Sequence, residues 1–181
     1  MTQTWEKLCQ VRDTMLKESQ HVRQANVSDL DAILTIYNEA IEKTTAIYEY
    51  ECFSTAYIEN WWQQRQNENR PVLVLEQDGL VVGFATYGTF RARAAYRSTM
   101  EHSVYVLESH RGKGFGKILL QAIMVAAKSN GVHVLIGGID ADNKLSIALH
   151  ESQGFRVAGQ LHEVAFKFDR WLDLVFVEKK L

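Results

Sequence analysis

The sequence contains little proline, little cysteine and no long apolar run. With a single proline among 181 residues and no Gly- or Ser-rich stretch, nothing marks a linker, and we expect one domain. The two cysteines, Cys9 and Cys52, lack C-x-x-C spacing, which argues against a disulfide framework and against a zinc site. Because no apolar segment has the length of a signal peptide or a membrane span, we expect a cytoplasmic protein without membrane contact.

The sequence also lacks a basic excess. Its 20 Lys and Arg residues are balanced by 22 Asp and Glu residues, for a formal net charge of -2. A general nucleic-acid binder needs a broad positive field, so we expect no nucleic-acid partner. Positive charge is instead concentrated locally, in residues 111–117.

Residues 111–117 read R-G-K-G-F-G-K and lie between a strand-like and a helix-like segment. Closely spaced glycines let the backbone approach a ligand, and the free N–H groups at a helix N-terminus attract phosphate. A Walker A loop is excluded because Arg111 stands where its first glycine is required and Ile118 where Ser or Thr is required. A dinucleotide fingerprint is excluded because position 117 is Lys. The segment therefore predicts a different kind of phosphate-binding loop.

Apolar periodicity and turn residues predict the order of the elements. Four segments have helical spacing: 28–43, 54–66, 116–129 and 143–152. Six segments read as strands: 72–76, 80–85, 102–107, 132–138, 155–160 and 171–178. Asp78-Gly79 predicts a hairpin between the first two strands, and Ser28 with Asp31 predicts a capping box on the first helix. A hairpin followed by alternating strands and helices predicts an α/β (α+β) fold with a mixed central sheet flanked by helices.

The Arg-x-x-Gly-x-Gly pattern at 111–116 resembles the coenzyme loop of the GNAT acyltransferases. Val-Tyr-Val at 104–106 is similar to the strand that binds pantetheine in that family, and L-H-E-S-Q-G-F at 149–155 is similar to its later helix and Gly-Phe ending. Within the family, the chain resembles most the branch that acetylates phosphinothricin and methionine sulfoximine. The likenesses are I-Y-N-E-A at 36–40, T-A-I at 45–47, Y-R at 96–97, E-H-S-V-Y-V at 101–106 and K-F-D-R-W-L-D-L at 167–174.

The resemblance implies a GNAT acyl-CoA N-acyltransferase fold at residues 21–181, preceded by an N-terminal extension at residues 1–20. In that extension, apolar residues at helical spacing predict a short amphipathic helix. It also implies acetyl-CoA as co-substrate, no metal, and a homodimer. The residues that it places at the coenzyme are Val104, Tyr105, Val106, Arg111, Gly112, Lys113, Gly114, Phe115, Gly116, Lys117, Asn143 and Ser146. Asn143 is also placed to act as a simple N-cap of the helix that follows it.

The resemblance implies two catalytic residues, Glu101 as general base and His150 as the acid that protonates the thiolate. Chain position alone favours a different role for Glu101, that of a solvated carboxylate at the end of the strand or of an ion-pair partner of Arg97, and the resemblance reverses that preference. His150 on an Ala- and Leu-rich helix is also explained as a hydrogen-bonded packing residue. The side chain of His102 is expected on the face opposite Glu101.

The residues expected at the amine substrate are Tyr48, Phe90, Tyr96, Arg97 and Glu101. Arg97 suits a carboxylate because a guanidinium pairs with it in a bidentate manner, although Arg91 and Arg93 compete for this role. Lys167 and Trp171 either shape the pocket or are a surface lysine and a core tryptophan.

Together these features predict an acetyl-CoA-dependent N-acetyltransferase that acetylates the α-amino group of a small amino-acid-like compound such as phosphinothricin or methionine sulfoximine. One alternative is acetylation of a protein N-terminus or a polyamine, which an open acidic groove would favour. Another alternative is a catalytically silent acyl-CoA sensor, which would keep residues 111–117 while Glu101 became dispensable.

Overall fold

A computed structural model describes residues 20–181, which form a seven-stranded mixed sheet covered by helices. The strands are β1 (Gln20–Gln24), β2 (Val72–Gln77), β3 (Leu80–Thr89), β4 (Thr99–Val106), β5 (Val134–Asp140), β6 (Arg156–Lys167) and β7 (Arg170–Lys180). The α-helices are α1 (Leu30–Lys43), α2 (Thr55–Asn67), α3 (Phe115–Ser129) and α4 (Lys144–Ser152). The predicted mixed α/β architecture and the predicted helices are therefore confirmed. Apart from Gln20, the N-terminal extension with its predicted helix lies outside the described residues.

The strand order is β1-β2-β3-β4-β5-β7-β6, and every neighbouring pair is antiparallel except β4 and β5. Apolar side chains cover both faces, because each strand alternates its side chains between them. On one face α3 packs through residues such as Leu119, Leu120 and Ile123. On the other face α1 and α2 pack through residues such as Ile36 and Trp61. Within residues 20–181, no helix is long and apolar enough to span a membrane.

The parallel pair in the centre of the sheet is short. β4 pairs with β5 only over Thr99–Glu101 and Val134–Ile136, although β5 continues to pair with β7 as far as Asp140. Beyond Glu101 the two strands separate, and a cavity of about 100 Å³ lies between them. The sheet is therefore open at the point where Glu101 and the 104–106 segment meet.

The entry into α1 differs from the prediction. Asn26, rather than Ser28, is the capping residue: its side chain accepts from the N–H of Ser28, and Asp29 accepts from the N–H of Asn26 at 2.8 Å. A 3-10 turn at Val27–Asp29 precedes α1. The predicted capping box of Ser28 and Asp31 was wrong because this turn moves the helix entry two residues earlier.

The last two strands form a hairpin longer than predicted. β6 reaches Lys167 through a register shift between Leu161 and Ala165, and the hairpin turn consists of Phe168 and Asp169 alone. Both turn residues have positive φ, 52° and 56°. Two-residue hairpin turns of this kind require positive φ, and their central residues are usually Asn or Gly. Because the residues here are Phe and Asp, the sequence did not predict this turn.

Candidate active site

A groove of about 480 Å³ runs from the end of β4 across the N-terminal ends of α3 and α4. Every residue expected at the coenzyme lines this groove except Lys113, which is exposed. Asn143 uses its side-chain oxygen to cap α4, accepting from the N–H of Ser146 at 3.0 Å, and it also faces the groove. The predicted capping role of Asn143 and its place in the groove are thus compatible.

The loop at the start of α3 depends on glycine. Gly112 and Gly114 have φ of 77° and 85°, a region that side chains with a Cβ rarely adopt. No atom lies within 4 Å of a Cβ added at either position, so the loop presents bare backbone to open space. Arg111 supports the loop by donating from Nε to the carbonyl of Val106 at 3.0 Å. An exposed backbone cradle at a helix N-terminus suits a diphosphate.

The half-buried Glu101 stands where β4 and β5 separate. Among residues 20–181, no hydrogen bond or ion pair engages its carboxylate, so the sequence-based alternative of an ion pair with Arg97 does not hold. Burial raises the pKa of Glu101, and the positive charge of Arg91 partly opposes that shift. A carboxylate with a raised pKa and no partner is better suited to accept a proton than an ordinary surface glutamate.

Two consecutive glycines in β5 lie beside the adjacent residues Glu101 and His102. A Cβ at Gly138 would lie 3.3 Å from Oε1 of Glu101, and a Cβ at Gly137 would lie 2.8 Å from Cε1 of His102. Because neighbouring strand residues point to opposite faces, Glu101 and His102 also do so, as predicted. The sequence reasoning missed this glycine pair, although glycine within a strand signals a close approach of another group.

His102 and His150 form a buried pair, with their Nε2 atoms 2.9 Å apart. Nδ1 of His150 lies 2.7 Å from the carbonyl oxygen of Ser146, which can only accept, so Nδ1 carries the proton. Nε2 of His150 then accepts from Nε2–H of His102. Burial lowers the pKa of both residues, that of His102 to about 3, so the pair is neutral. Both nitrogens of His150 are therefore engaged inside the protein, although its ring lines the groove.

Aromatic side chains gather on the same face as Glu101. Glu101 pairs with Gly88 in β3, and Gly138 pairs with Phe176 in β7, which places Phe176 on the Glu101 face. The Phe90 ring lies 6.4 Å from the Phe176 ring. We call this face, with Phe90, Tyr96 and Phe176 around Glu101, the amine face.

Tyr96 and Tyr48, which are also expected at the substrate, both lie on the amine face. Tyr96 lies on the amine face, 6.0 Å from Phe90, and the Arg91 guanidinium covers the Phe90 ring at 5.1 Å. Tyr48 donates to Oδ2 of Asp140 at 3.3 Å; Asp140 is two residues beyond Gly138 and so shares its face.

Arg97 does not stand where the sequence argument placed it. It lines a separate cavity of about 640 Å³ with Tyr87, Met100 and Asn130, on the side of the sheet where α3 packs. A 3-10 turn at Ala94–Tyr96 separates Arg97 from the aromatic cluster. Arg91, rather than Arg97, is the cation whose charge acts on Glu101.

Comparisons with known proteins agree with this geometry. Residues 22–176 match the family model of the acetyltransferase (GNAT) domain. The L-methionine sulfoximine/L-methionine sulfone acetyltransferase of Pseudomonas aeruginosa is 43% identical over 164 residues, which cover 90% of this chain and 95% of that protein. Phosphinothricin N-acetyltransferase of Alcaligenes faecalis is 34% identical over 161 residues, 88% of this chain and 82% of that protein.

A solved acetyltransferase structure from Salmonella typhimurium, with its cofactor acetyl-CoA, has a TM-score of 0.89 and 41% identity. The match covers 91% of this chain and 95% of the chain in that structure. The family model, the relatives and the fold agree, and they show that this chain belongs to the GNAT acetyltransferase family and is an N-acetyltransferase.

Proposed function

We propose that this chain transfers the acetyl group of acetyl-CoA to the α-amino group of a small amino acid, with methionine sulfoximine and methionine sulfone as the preferred substrates. The observation that carries the proposal is the unpaired Glu101 carboxylate at the opening between β4 and β5, with the aromatic amine face and Arg91 beside it. The names of the relatives support this substrate class.

Bound acetyl-CoA supplies an activated thioester, and the residues of the groove fit it. The backbone of residues 112–117 would hold the diphosphate, and the free β4 edge at 104–106 would hold the pantetheine arm. These contacts would place the thioester at the β4–β5 opening, next to Glu101. Positioning of this kind contributes roughly 7 to 11 kcal/mol to a bimolecular reaction.

Glu101 would take one proton from the ammonium form of the substrate, directly or through one water. The neutral amine then forms a C–N bond as the C–S bond breaks, and its nitrogen, now cationic, releases a second proton that the departing thiolate takes up. An α-amine with a pKa of about 8 costs only about 1.4 kcal/mol to deprotonate at pH 7, against roughly 4.6 kcal/mol for a lysine amine. A single modest base such as Glu101 is therefore sufficient for an amino acid.

The thiolate gains the proton that the amide nitrogen releases, and we propose that His150, which is neutral, relays it: one ring nitrogen would accept this proton while the other gives its own to the thiolate. His150 would first have to give up one of its two partners, His102 or the Ser146 carbonyl, because both of its nitrogens are engaged. A thiol has an ordinary pKa of about 8.5, so the thiolate departs with little assistance. We therefore expect loss of His150 to be milder than loss of Glu101.

An amine panel with acetyl-CoA and thiol detection tests the proposed function. We expect methionine sulfoximine and methionine sulfone to react best, phosphinothricin more slowly, and a polyamine or a peptide N-terminus least. Faster acetylation of the polyamine or the peptide would favour the alternative substrates. Acetyl-CoA binding without turnover on any amine would favour the silent sensor.

We also propose that the protein is a cytoplasmic homodimer whose interface includes β6. This strand is one of the two edges of the sheet and exposes apolar side chains along its length, among them Val157, Leu161 and Phe166. Unprotected apolar edge strands are normally covered. Light scattering after gel filtration should give twice the chain mass, and a monomer at micromolar concentration would exclude the dimer.

A further inference from the structure

Lys167, the last residue of β6, is buried although it carries an ammonium group. The residue is 4% exposed, and its Nζ donates to three carbonyls: that of Ile41 at 2.6 Å, that of Ile47 at 2.7 Å and that of Thr44 at 2.9 Å. An ammonium has three N–H donors, so the three carbonyls use all of them. Trp171, by contrast, is 58% exposed, so the expectation of a surface lysine and a core tryptophan was wrong.

The three carbonyls come from the end of α1 and from the segment that follows it. Ile41 belongs to the last turn of α1, where carbonyls have no partner within the helix and the helix dipole is negative. Thr44 and Ile47 belong to residues 44–54, which connect α1 to α2 without helix or strand and which we call the α1–α2 loop. Burying a lysine is costly unless it is fully hydrogen-bonded, so this arrangement exists only while the loop is folded around Nζ.

The α1–α2 loop forms one wall of the reactive end of the site. Thr44 and Ala46 line the groove, and Ala46 also lines the cavity between β4 and β5. Further along, Tyr48 reaches Asp140 and the carbonyl of Asp173, at 3.3 Å and 3.2 Å. Two of the carbonyls held by Lys167, those of Thr44 and Ile47, thus lie on either side of Ala46, the loop residue that lines both the groove and the cavity between β4 and β5.

We propose that Lys167 is a positioning residue for acetyl transfer, which fixes the α1–α2 loop against the amine side of the site. The proposal rests on the proposed function, because it treats this loop as a wall of the amine pocket. Lys167 touches neither substrate directly; its ammonium acts through the three backbone carbonyls. Its loss should therefore harm amine binding and orientation more than acetyl-CoA binding, since the Lys167 ammonium forms its hydrogen bonds with the carbonyls of Ile41, Thr44 and Ile47 and none with 104–106 or 112–117.

The test compares Lys167→Met with Lys180→Met, which removes an exposed lysine from the same hairpin. For Lys167→Met we expect the KM for methionine sulfoximine to rise about tenfold or more, while the Kd for acetyl-CoA by titration calorimetry changes less than about threefold. Hydrogen exchange of residues 44–50 should accelerate in Lys167→Met. Lys180→Met should match the wild type in all three measurements.

A purely structural role for Lys167 would show faster exchange in the loop with an unchanged amine KM, and that outcome overturns the proposal. Equal losses in acetyl-CoA and amine binding also overturn it. If the wild type acetylates no amino acid on the panel, the proposed function fails, while hydrogen exchange still shows whether Lys167 fixes the loop.

A second variant keeps the proposal testable should Lys167→Met not fold. Tyr50 in the same loop donates from its hydroxyl to the carbonyl of Phe166, and the residue is 74% exposed, so Tyr50→Phe should not disturb the core. We expect a smaller rise in amine KM, about threefold, with unchanged acetyl-CoA affinity. An amine KM equal to that of the wild type would overturn the proposal.

Discussion

At the residue scale, two adjacent residues of β4, Glu101 and His102, place their side chains in different environments. Glu101 faces the amine side with a free carboxylate, whereas His102 faces the interior and pairs with His150. Gly138 and Gly137 leave the space that these two side chains occupy. A side chain at Gly138 would press on the carboxylate, so the position of Glu101 depends on β5 as much as on β4.

Replacing Glu101 with Gln should lower kcat by about 10² to 10⁴, the usual contribution of a general base, with acetyl-CoA affinity intact. Because burial raises the pKa of Glu101, the wild type should lose activity in acid at a higher pH than an ordinary glutamate would allow, and the variant should lack this limb of the pH profile. Glu59→Gln, an exposed change on α2, is the control. Wild-type turnover with the same rise in rate at alkaline pH in Glu101→Gln would remove Glu101 as the base.

Two arginines test which cation holds the carboxylate of the substrate. Arg91 lies beside Phe90 on the amine face, and Arg97 lies in the cavity with Tyr87. Arg91→Ala should raise the KM for methionine sulfoximine about 10- to 100-fold, as expected for losing a charge-assisted bond of about 1.5 to 3 kcal/mol. Arg97→Ala should change it little, and a simple aliphatic amine should be insensitive to both. The reverse ranking would return the role to Arg97, as the sequence pattern alone had suggested.

At the scale of elements, α3 begins in a conformation that only glycine adopts easily. Gly114 is the residue before its first turn, with φ of 85°, and the loop before it is tied to β4 through Arg111. The helix therefore presents its N-terminus at a fixed position relative to 104–106. A side chain at Gly114 would have two effects: it would strain the backbone, and it would enter the groove. A glycine with positive φ at the other end of α3 would show the first effect alone.

Gly114→Ala should weaken acetyl-CoA binding about tenfold, measured by titration calorimetry, because it both strains the backbone by about 1 to 3 kcal/mol and fills the cradle. Gly131→Ala is the matched control, since Gly131 has φ of 74°, open space around its Cβ position and a place at the other end of α3. Both variants should lose similar stability, but only Gly114→Ala should lose affinity. Equal affinity in the two folded variants would remove the loop from the coenzyme site.

The sequence predicted elements where apolar spacing and turn residues agree, and it failed where tertiary contacts decide. The β2–β3 hairpin carries Asp78-Gly79 and was confirmed. β1 was missed because an edge strand reading Q-H-V-R-Q has only one apolar residue. The depth of Lys167 could not be read from the chain, because its three carbonyl partners lie 120 or more residues away.

In the candidate site too, the features with a local sequence pattern were predicted, and those that depend on tertiary contacts were not. The loop at 111–117 and the strand at 104–106 carry local patterns, and the structure brings them together in one groove. Tyr96 and Arg97 are adjacent in sequence, yet they lie on different faces of the sheet, because the 3-10 turn at Ala94–Tyr96 ends between them. Local sequence cannot show that separation, because it depends on how the chain enters β4.

At the scale of the whole molecule, one partly buried ion network connects the start of the described chain to the sheet. Arg23 of β1 donates to Asp29 at 2.7 Å and 2.9 Å, before α1, and to Glu76 of β2 at 3.0 Å. Asp29 is 5% exposed and also accepts from the N–H of Asn26. The network therefore joins the edge strand, the entry of α1 and the second strand of the sheet.

Acid unfolding should reveal this network. The Arg23 guanidinium, helped by the Asn26 N–H, holds the pKa of Asp29 below its usual range despite burial, which acts in the opposite direction. A depressed carboxyl pKa stabilises the fold above the unfolded-state pKa of about 3.9 and loses that effect as the pH falls through the folded-state value. Asp29→Asn should lower the free energy of unfolding at pH 7 by about 1 to 3 kcal/mol, measured with urea, and the difference from wild type should shrink below about pH 4. The exposed Asp31→Asn, in the first turn of α1, should cost no more than a few tenths of a kcal/mol. Equal losses for the two variants, or a difference that persists unchanged in acid, would show that the ion pair of Asp29 does not stabilise the folded protein.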